Sequence, residues 1–126
     1  MSRTTEEILA LEDAAMARWA DGDPSGFLEI SDPSVTYFDP FQQSRLNGLD
    51  ALTRLYSELT GKIHIDRYEY QNAAVQENGG TAVLSYDFQS SGSEGQMCWH
   101  CTEVYRQTPA GWRIIHTHWS LPQATA

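Results

Sequence analysis

The chain is segregated, with its helix-like sequence first and its strand-like sequence last, and that order constrains the fold more than any single motif. Thr4-x-x-Glu7 has the form of a capping box, in which a hydroxyl and a carboxylate satisfy the free amides of a helix start. Ile8, Leu11, Ala15 and Trp19 follow at helical spacing and supply one buried stripe, closing near Gly22. Asp23-Pro24 offers an N-cap and a first-turn proline for a short second helix carrying Phe27, Leu28 and Ile30, stopped by Asp32-Pro33. A β-branched and aromatic strand over residues 35–39 ends at Pro40. The polar loop 42–48 leads into a third helix over about residues 49–60, with Leu49, Leu52, Leu55, Tyr56 and Leu59 inward and Gly61 as its stop.

From residue 63 onward the pattern is strand. Ile63 and Ile65 alternate in one phase and Tyr68 and Tyr70 in the other, which predicts a bulge near Asp66-Arg67. Asn78-Gly79-Gly80, residues 92–95 and residues 108–111 mark three hairpin turns. Three helices followed by an antiparallel meander predict a single α+β domain over residues 1–126, a cone-shaped curved antiparallel sheet wrapped around its N-terminal helices. In the closing strand, residues 112–120, a period of two puts Trp112, Ile114, His116 and His118 on one side. An aromatic, an aliphatic and two imidazoles on one face are the make-up of a small-molecule pocket wall.

Eight Lys plus Arg against seventeen Asp plus Glu leave a formal charge of -9. A field of that sign repels phosphate backbones and anionic lipid, which argues against nucleic-acid and membrane-surface roles. No apolar run is long enough to cross a bilayer, and the first residues lack the apolar core of a signal peptide, so the expected location is cytoplasmic. Cys98 and Cys101 form C-x-x-C, but on a strand an odd separation sends the two thiols to opposite faces. Two reduced, structural cysteines are expected rather than a redox or zinc pair.

Gly22-Asp23, Ser31-Asp32-Pro33, Phe38-Asp39-Pro40, Gly48-Leu49-Asp50 and the segment 112–120, in this order, resemble the nuclear transport factor two-like superfamily. That group includes ketosteroid isomerase, the SnoaL-like polyketide cyclases and the association domain of calcium/calmodulin-dependent protein kinase II, which these motifs resemble most. The resemblance covers nearly the whole chain. It implies the fold and leaves the activity open, since the fold hosts isomerases, cyclases, dehydratases and non-catalytic assembly modules. By similarity to ketosteroid isomerase, Asp39 matches the catalytic base and Glu103 the protonated oxyanion-hole acid, while the isomerase's oxyanion tyrosine falls near Ala15 and is missing. By similarity to the association domain, its pocket arginines fall at about Asp87 and Glu103, so the equivalent site here is acidic.

The sharpest chemical hypothesis is therefore proton transfer without a cofactor, with Asp39 as general base and Glu103 or His118 donating to a developing oxyanion. The plainer alternative is that Asp39 caps the turn that follows it. Tyr37, Tyr56, Asp87, Trp99, Trp112 and His116 complete the expected site, with a small apolar molecule as its ligand. His116 and His118 lie about 7 Å apart by strand rise, too far to share one metal, so no metal is expected. The superfamily's outer sheet face usually packs against a second copy, and Tyr86, Phe88 and Trp119 are expected there, implying a homodimer. The rival readings are a non-catalytic homo-oligomeric assembly module and a small-molecule carrier.

Overall fold

The computed structural model describes residues 2–92 and 95–122. Helix α1 (Arg3–Ala20) begins two residues before the expected box: Ser2 is the N-cap, its Oγ accepting from the amide of Thr5 at 3.1 Å. Glu7 instead pairs with Arg3 one turn away on an exposed face, a contact of little energetic weight. The buried side of α1 runs Ile8, Glu12, Ala15, Met16 and Ala20, with Leu11 and Trp19 at its margin. The helix closes at Gly22, whose φ of 90° places it in the left-handed region where a Cβ is strained. Helix α2 (Ser25–Glu29) follows at once, with Asp23 Oδ1 accepting from the Ser25 amide at 3.0 Å. Arg18 locks the corner by donating to Asp23 and Glu29, both at 2.9 Å.

Strand β1 (Ser31–Phe38) starts earlier than expected and runs through Pro33 with an irregularity between Ser31 and Thr36. A two-residue strand β2 (Leu46–Asn47) was not anticipated. Helix α3 (Leu49–Leu59) lies within the expected span, burying Leu52 and Tyr56. Then come β3 (Ile65–Asn78), β4 (Thr81–Gly92), β5 (Gly95–Thr108) and β6 (Gly111–Ser120). The middle of the expected turn at 92–95 lies outside the described residues.

The six strands form one curled, unclosed sheet in the order β2-β1-β6-β5-β4-β3. It is not wholly antiparallel, because β1 returns beside β6 in parallel. Two bulges in β3 set its curvature. Ile65 and Arg67 face Gly92 and Ser91, so Asp66 is the extra residue, as the phase change predicts. A second extra residue falls between Gln71 and Ala74, where Asn72 adopts a φ of 57°. The inner face carries Ala82, Leu84, Tyr86 and Phe88 of β4 and Cys101, Glu103 and Tyr105 of β5, all packed toward the helices.

A third bulge decides where the functional residues point. Tyr105 pairs with Ile114 and Val104 with His116, so Ile115 is unmatched in β6. Trp112 and Ile114 face inward before it, and Thr117 and Trp119 after it. His116 and His118 share a face as expected, but it is the outer face, beside Thr36 and Phe38. Tyr86, Phe88 and Trp119 are likewise corrected: they pack against one another inside the curl and do not form an outer patch. Cys98 is exposed and Cys101 buried, on opposite faces of β5.

Candidate functional site

A cavity of about 470 Å³ opens at the end of the sheet where β1, β4 and β6 stop and β3 and β5 begin. Its apolar wall comes from Met16 and Trp19 of α1, Leu55 and Leu59 of α3, and Phe88, Met97, Trp99 and Trp119 of the sheet. A handful of polar groups interrupts that wall: Tyr37, Asp39, Gln42, Lys62, His64 and Ser90. Volume and lining match the roughly 300–1,000 Å³ apolar clefts that hold small molecules.

Asp39 sits at the end of β1 and is the one carboxylate among the described residues that line the cavity. Its two oxygens are fixed separately. Oδ2 accepts from the Tyr37 hydroxyl at 2.8 Å, and Oδ1 accepts from the Phe41 amide at 2.8 Å. The second bond is the turn cap of the plainer reading, and it coexists with an oriented carboxylate facing the cavity. Burial, then the neighbouring Tyr56 and Asp39, push the Tyr37 hydroxyl far above its usual range, so it stays protonated and keeps donating. Phe41, 70% exposed, stands over this end and meets Trp99 edge-on at 6.2 Å between ring centres.

Glu103 points inward but does not line the cavity; it belongs to a buried cluster with Glu12, each 1% exposed. Glu12 accepts from the Tyr86 hydroxyl at 2.6 Å through one oxygen and from the Tyr105 hydroxyl at 2.8 Å through the other. Glu103 has only a long contact, 3.4 Å from the Thr117 hydroxyl, and its Oε1 has no partner. Burial first, and then Glu12, raise the Glu103 carboxyl well above the usual glutamate range. The hydrogen bonds thus assign the charge to Glu12, which two donors solvate, and the proton to Glu103. Oxygens of Glu12 and Glu103 and the Cys101 sulfur lie within 4.8 Å of one another, all buried. That is a metal-ligand set in number, yet both Glu12 oxygens are already held by tyrosines, and one proton relieves the same repulsion.

Of the other expected site residues, Tyr37 and Trp99 line the cavity. Tyr56 is buried behind its wall, edge-on against Trp19 and Tyr37 at 5.1 and 5.7 Å, and Trp112 is buried at the start of β6, the end away from the cavity. Asp87 faces outward, held by Asn72 Nδ2 at 2.9 Å and close to His100 at 3.5 Å, so it is withdrawn from the cavity. His116 and His118 are withdrawn for the same reason, and His116 Nδ1 lies 2.7 Å from the Thr36 hydroxyl. Burial, then the adjacent His118 and Arg45, lower the His116 imidazole below its usual value. Glu12, Lys62 and His64 were missed. Glu12 had a legible signal, four residues from both Ile8 and Met16 on the apolar stripe of α1.

Residues 8–124 match the family model of the SnoaL-like domain. A provisionally named ketosteroid isomerase from Parabacteroides distasonis is 37% identical, aligned over 92% of this chain and 86% of its own, with a TM-score of 0.83. An NTF2-like protein of unknown function from Pseudomonas putida KT2440 is 23% identical over 99% and 92%, with a TM-score of 0.85. The CaMKII hub of S. rosetta is 23% identical over 93% and 95%, with a TM-score of 0.73, a likeness of fold alone. No functionally curated protein matches the chain in sequence. No helix among the described residues is long and apolar enough to cross a membrane. A family model covering nearly the whole chain, on a curled sheet with helices inside it and with the fold of NTF2-like structures, leaves one conclusion: the protein belongs to the SnoaL-like domain family.

Proposed function

We propose that this domain binds a small, largely apolar molecule in the cavity and moves a proton on it with Asp39, as a cofactor-free isomerase, cyclase or dehydratase would. One observation carries the reading: the sole carboxylate among the described lining residues is held rigidly, by one hydroxyl and one amide, at the edge of an apolar cavity. A base needs a fixed position and a free lone pair, and each oxygen of Asp39 gives up only one of its two to these bonds. Glu103 has no part in this proposal, since it does not line the cavity and is buried beside Glu12. The provisionally named ketosteroid isomerase, at 37% identity, supports the same class of reaction.

The test is to identify by mass spectrometry what co-purifies with the protein, then to compare turnover of that compound or its analogues by wild type and Asp39→Asn. Turnover that survives the substitution unchanged removes Asp39 as base; binding without any product makes the protein a carrier. A second copy covering the outer sheet face is the assembly we propose, on the strength of the CaMKII hub neighbours and not of the aromatic residues, which face inward. Light scattering that returns only the monomer mass would remove it.

A further inference from the structure

The rim of the cavity is electrically lopsided. Asp39 follows β1, near one edge of the curled sheet, and Lys62 and His64 precede β3, which forms the other edge. Four strand-to-strand steps separate β1 from β3 along the sheet, so the carboxylate and the two basic residues reach the cavity from different ends of the sheet order. The intervening wall is aromatic and aliphatic, from Trp119 through Trp99 to Phe88.

The two basic residues are not equivalent. His64 Nε2 is 2.7 Å from Asp66 Oδ1, the carboxylate of the extra bulge residue, so any charge on the ring is answered at once. Lys62 forms no ion pair among the described residues. Its position is set by the end of α3: the Lys62 amide donates to Leu59 O at 2.9 Å, and Gly61 donates to Gly22 O at 2.8 Å, tying this loop to the end of α1. An ammonium on an anchored loop, beside an apolar hollow, is a group waiting for an anionic partner. In a chain of net charge -9, it is also the one place on this rim where such a partner is not repelled.

We infer that the cavity takes amphiphilic anions: a hydrophobic body filling the aromatic hollow and an acidic oxygen group, such as a carboxylate, held by Lys62 at the rim. This rests on the proposed function of the cavity and adds the ligand's polarity and orientation.

Two fluorescent probes separate this inference from the reading beneath it. N-phenyl-1-naphthylamine and 8-anilinonaphthalene-1-sulfonate share one aromatic body, and only the second carries an anion. Titrations use the whole chain as wild type, Lys62→Gln and Ser90→Trp, the last placing a bulky ring inside the cavity. Wild type is expected to bind the sulfonate more tightly than the neutral amine. Lys62→Gln should weaken the sulfonate by about five-fold, the scale of one exposed charge contact, and leave the amine unchanged. Raised salt should shrink the sulfonate's advantage in wild type only. Ser90→Trp should weaken both probes. Equal affinity for the two probes in wild type, or a Lys62→Gln protein that keeps the full preference, overturns the role of Lys62 while leaving the cavity intact. Binding of neither probe, or binding indifferent to Ser90→Trp, overturns the cavity reading and this inference with it.

Discussion

Glu12→Gln and Glu103→Gln change volume almost identically, yet the buried cluster makes opposite demands on them. At Glu12, an amide replaces a carboxylate whose two oxygens accept the Tyr86 and Tyr105 hydroxyls at 2.6 and 2.8 Å. One acceptor becomes a donor, so the tyrosine hydroxyl it meets must turn to accept, and the remaining bond loses its charge. With about 1.5–3 kcal/mol for a hydrogen bond to a charged group, the expected cost is roughly 2–4 kcal/mol, a large share of a stability on the order of 5–15 kcal/mol. For a chain of this size, that corresponds to a fall of roughly 6–20 °C in melting temperature. At Glu103 the same substitution replaces a neutral acid by a neutral amide, and the cost should stay within about 1 kcal/mol at about pH 5. The pH dependence distinguishes the two further. Because Glu103 is raised in the folded protein, its contribution is complete below the ordinary glutamate value and is lost as pH rises toward the native value. Wild type should therefore lose stability relative to Glu103→Gln as pH rises above about 5, by no more than about 1.4 kcal/mol per pH unit. Chemical denaturation of the three proteins between pH 5 and pH 9 reads this directly. Equal losses for the two substitutions, or a wild type that gains on Glu103→Gln as pH rises, would refute the assignment of the proton.

Two other outcomes follow from packing. Gly92→Ala should destabilise by roughly 1–3 kcal/mol, because a Cβ there would overlap the carbonyl oxygen of His64 at the Asp66 bulge; a denaturation midpoint equal to wild type would contradict that close approach. A thiol reagent should modify one cysteine in the folded protein, exposed Cys98, and reach Cys101 only on unfolding, since Cys101 is buried and burial pushes its thiol well above the usual range; rapid modification of both would contradict the placement of β5.

How far the site could be read in advance came down to parity along two strands. In β3 the odd spacing between Ile65 and Tyr68 exposed the Asp66 bulge, because polar Asp66 and Arg67 separate two clear apolar phases. In β6 the same signal is present. Trp112 and Trp119 are seven residues apart, so both can face inward only if one residue is extra, and they do. Counting from Trp112 alone sent His116 and His118 into the pocket, and adjacent Ile114 and Ile115 hid the slip, since either side chain suits an apolar face. Reversal of those two histidines carried the pocket argument with them, and the reversed Trp119 removed the reason for an outer aromatic patch. Asp39 is named by the resemblance to ketosteroid isomerase, and it does line the cavity, because the end of a strand before Pro is a position that an error of phase does not move. Lys62 and His64 are not named, because nothing in a loop's sequence says which cavity it borders. Glu12 reflects a different limit: its carboxylate interrupts an apolar stripe, and only the two tyrosines across the sheet explain why that is tolerated.

The most direct measurement is hydrogen exchange at carbon. A panel of hydrophobic ketones and keto acids is incubated with the protein in deuterium oxide, and loss of the proton next to the carbonyl is followed by NMR. This reports removal of a proton whether or not a product forms. Wild type should accelerate exchange for at least one compound that binds in the cavity, and Asp39→Asn should slow it by about 10²–10⁴-fold while binding the same compound. Exchange at the wild-type rate in Asp39→Asn, or none in any bound compound, would contradict Asp39 as the base.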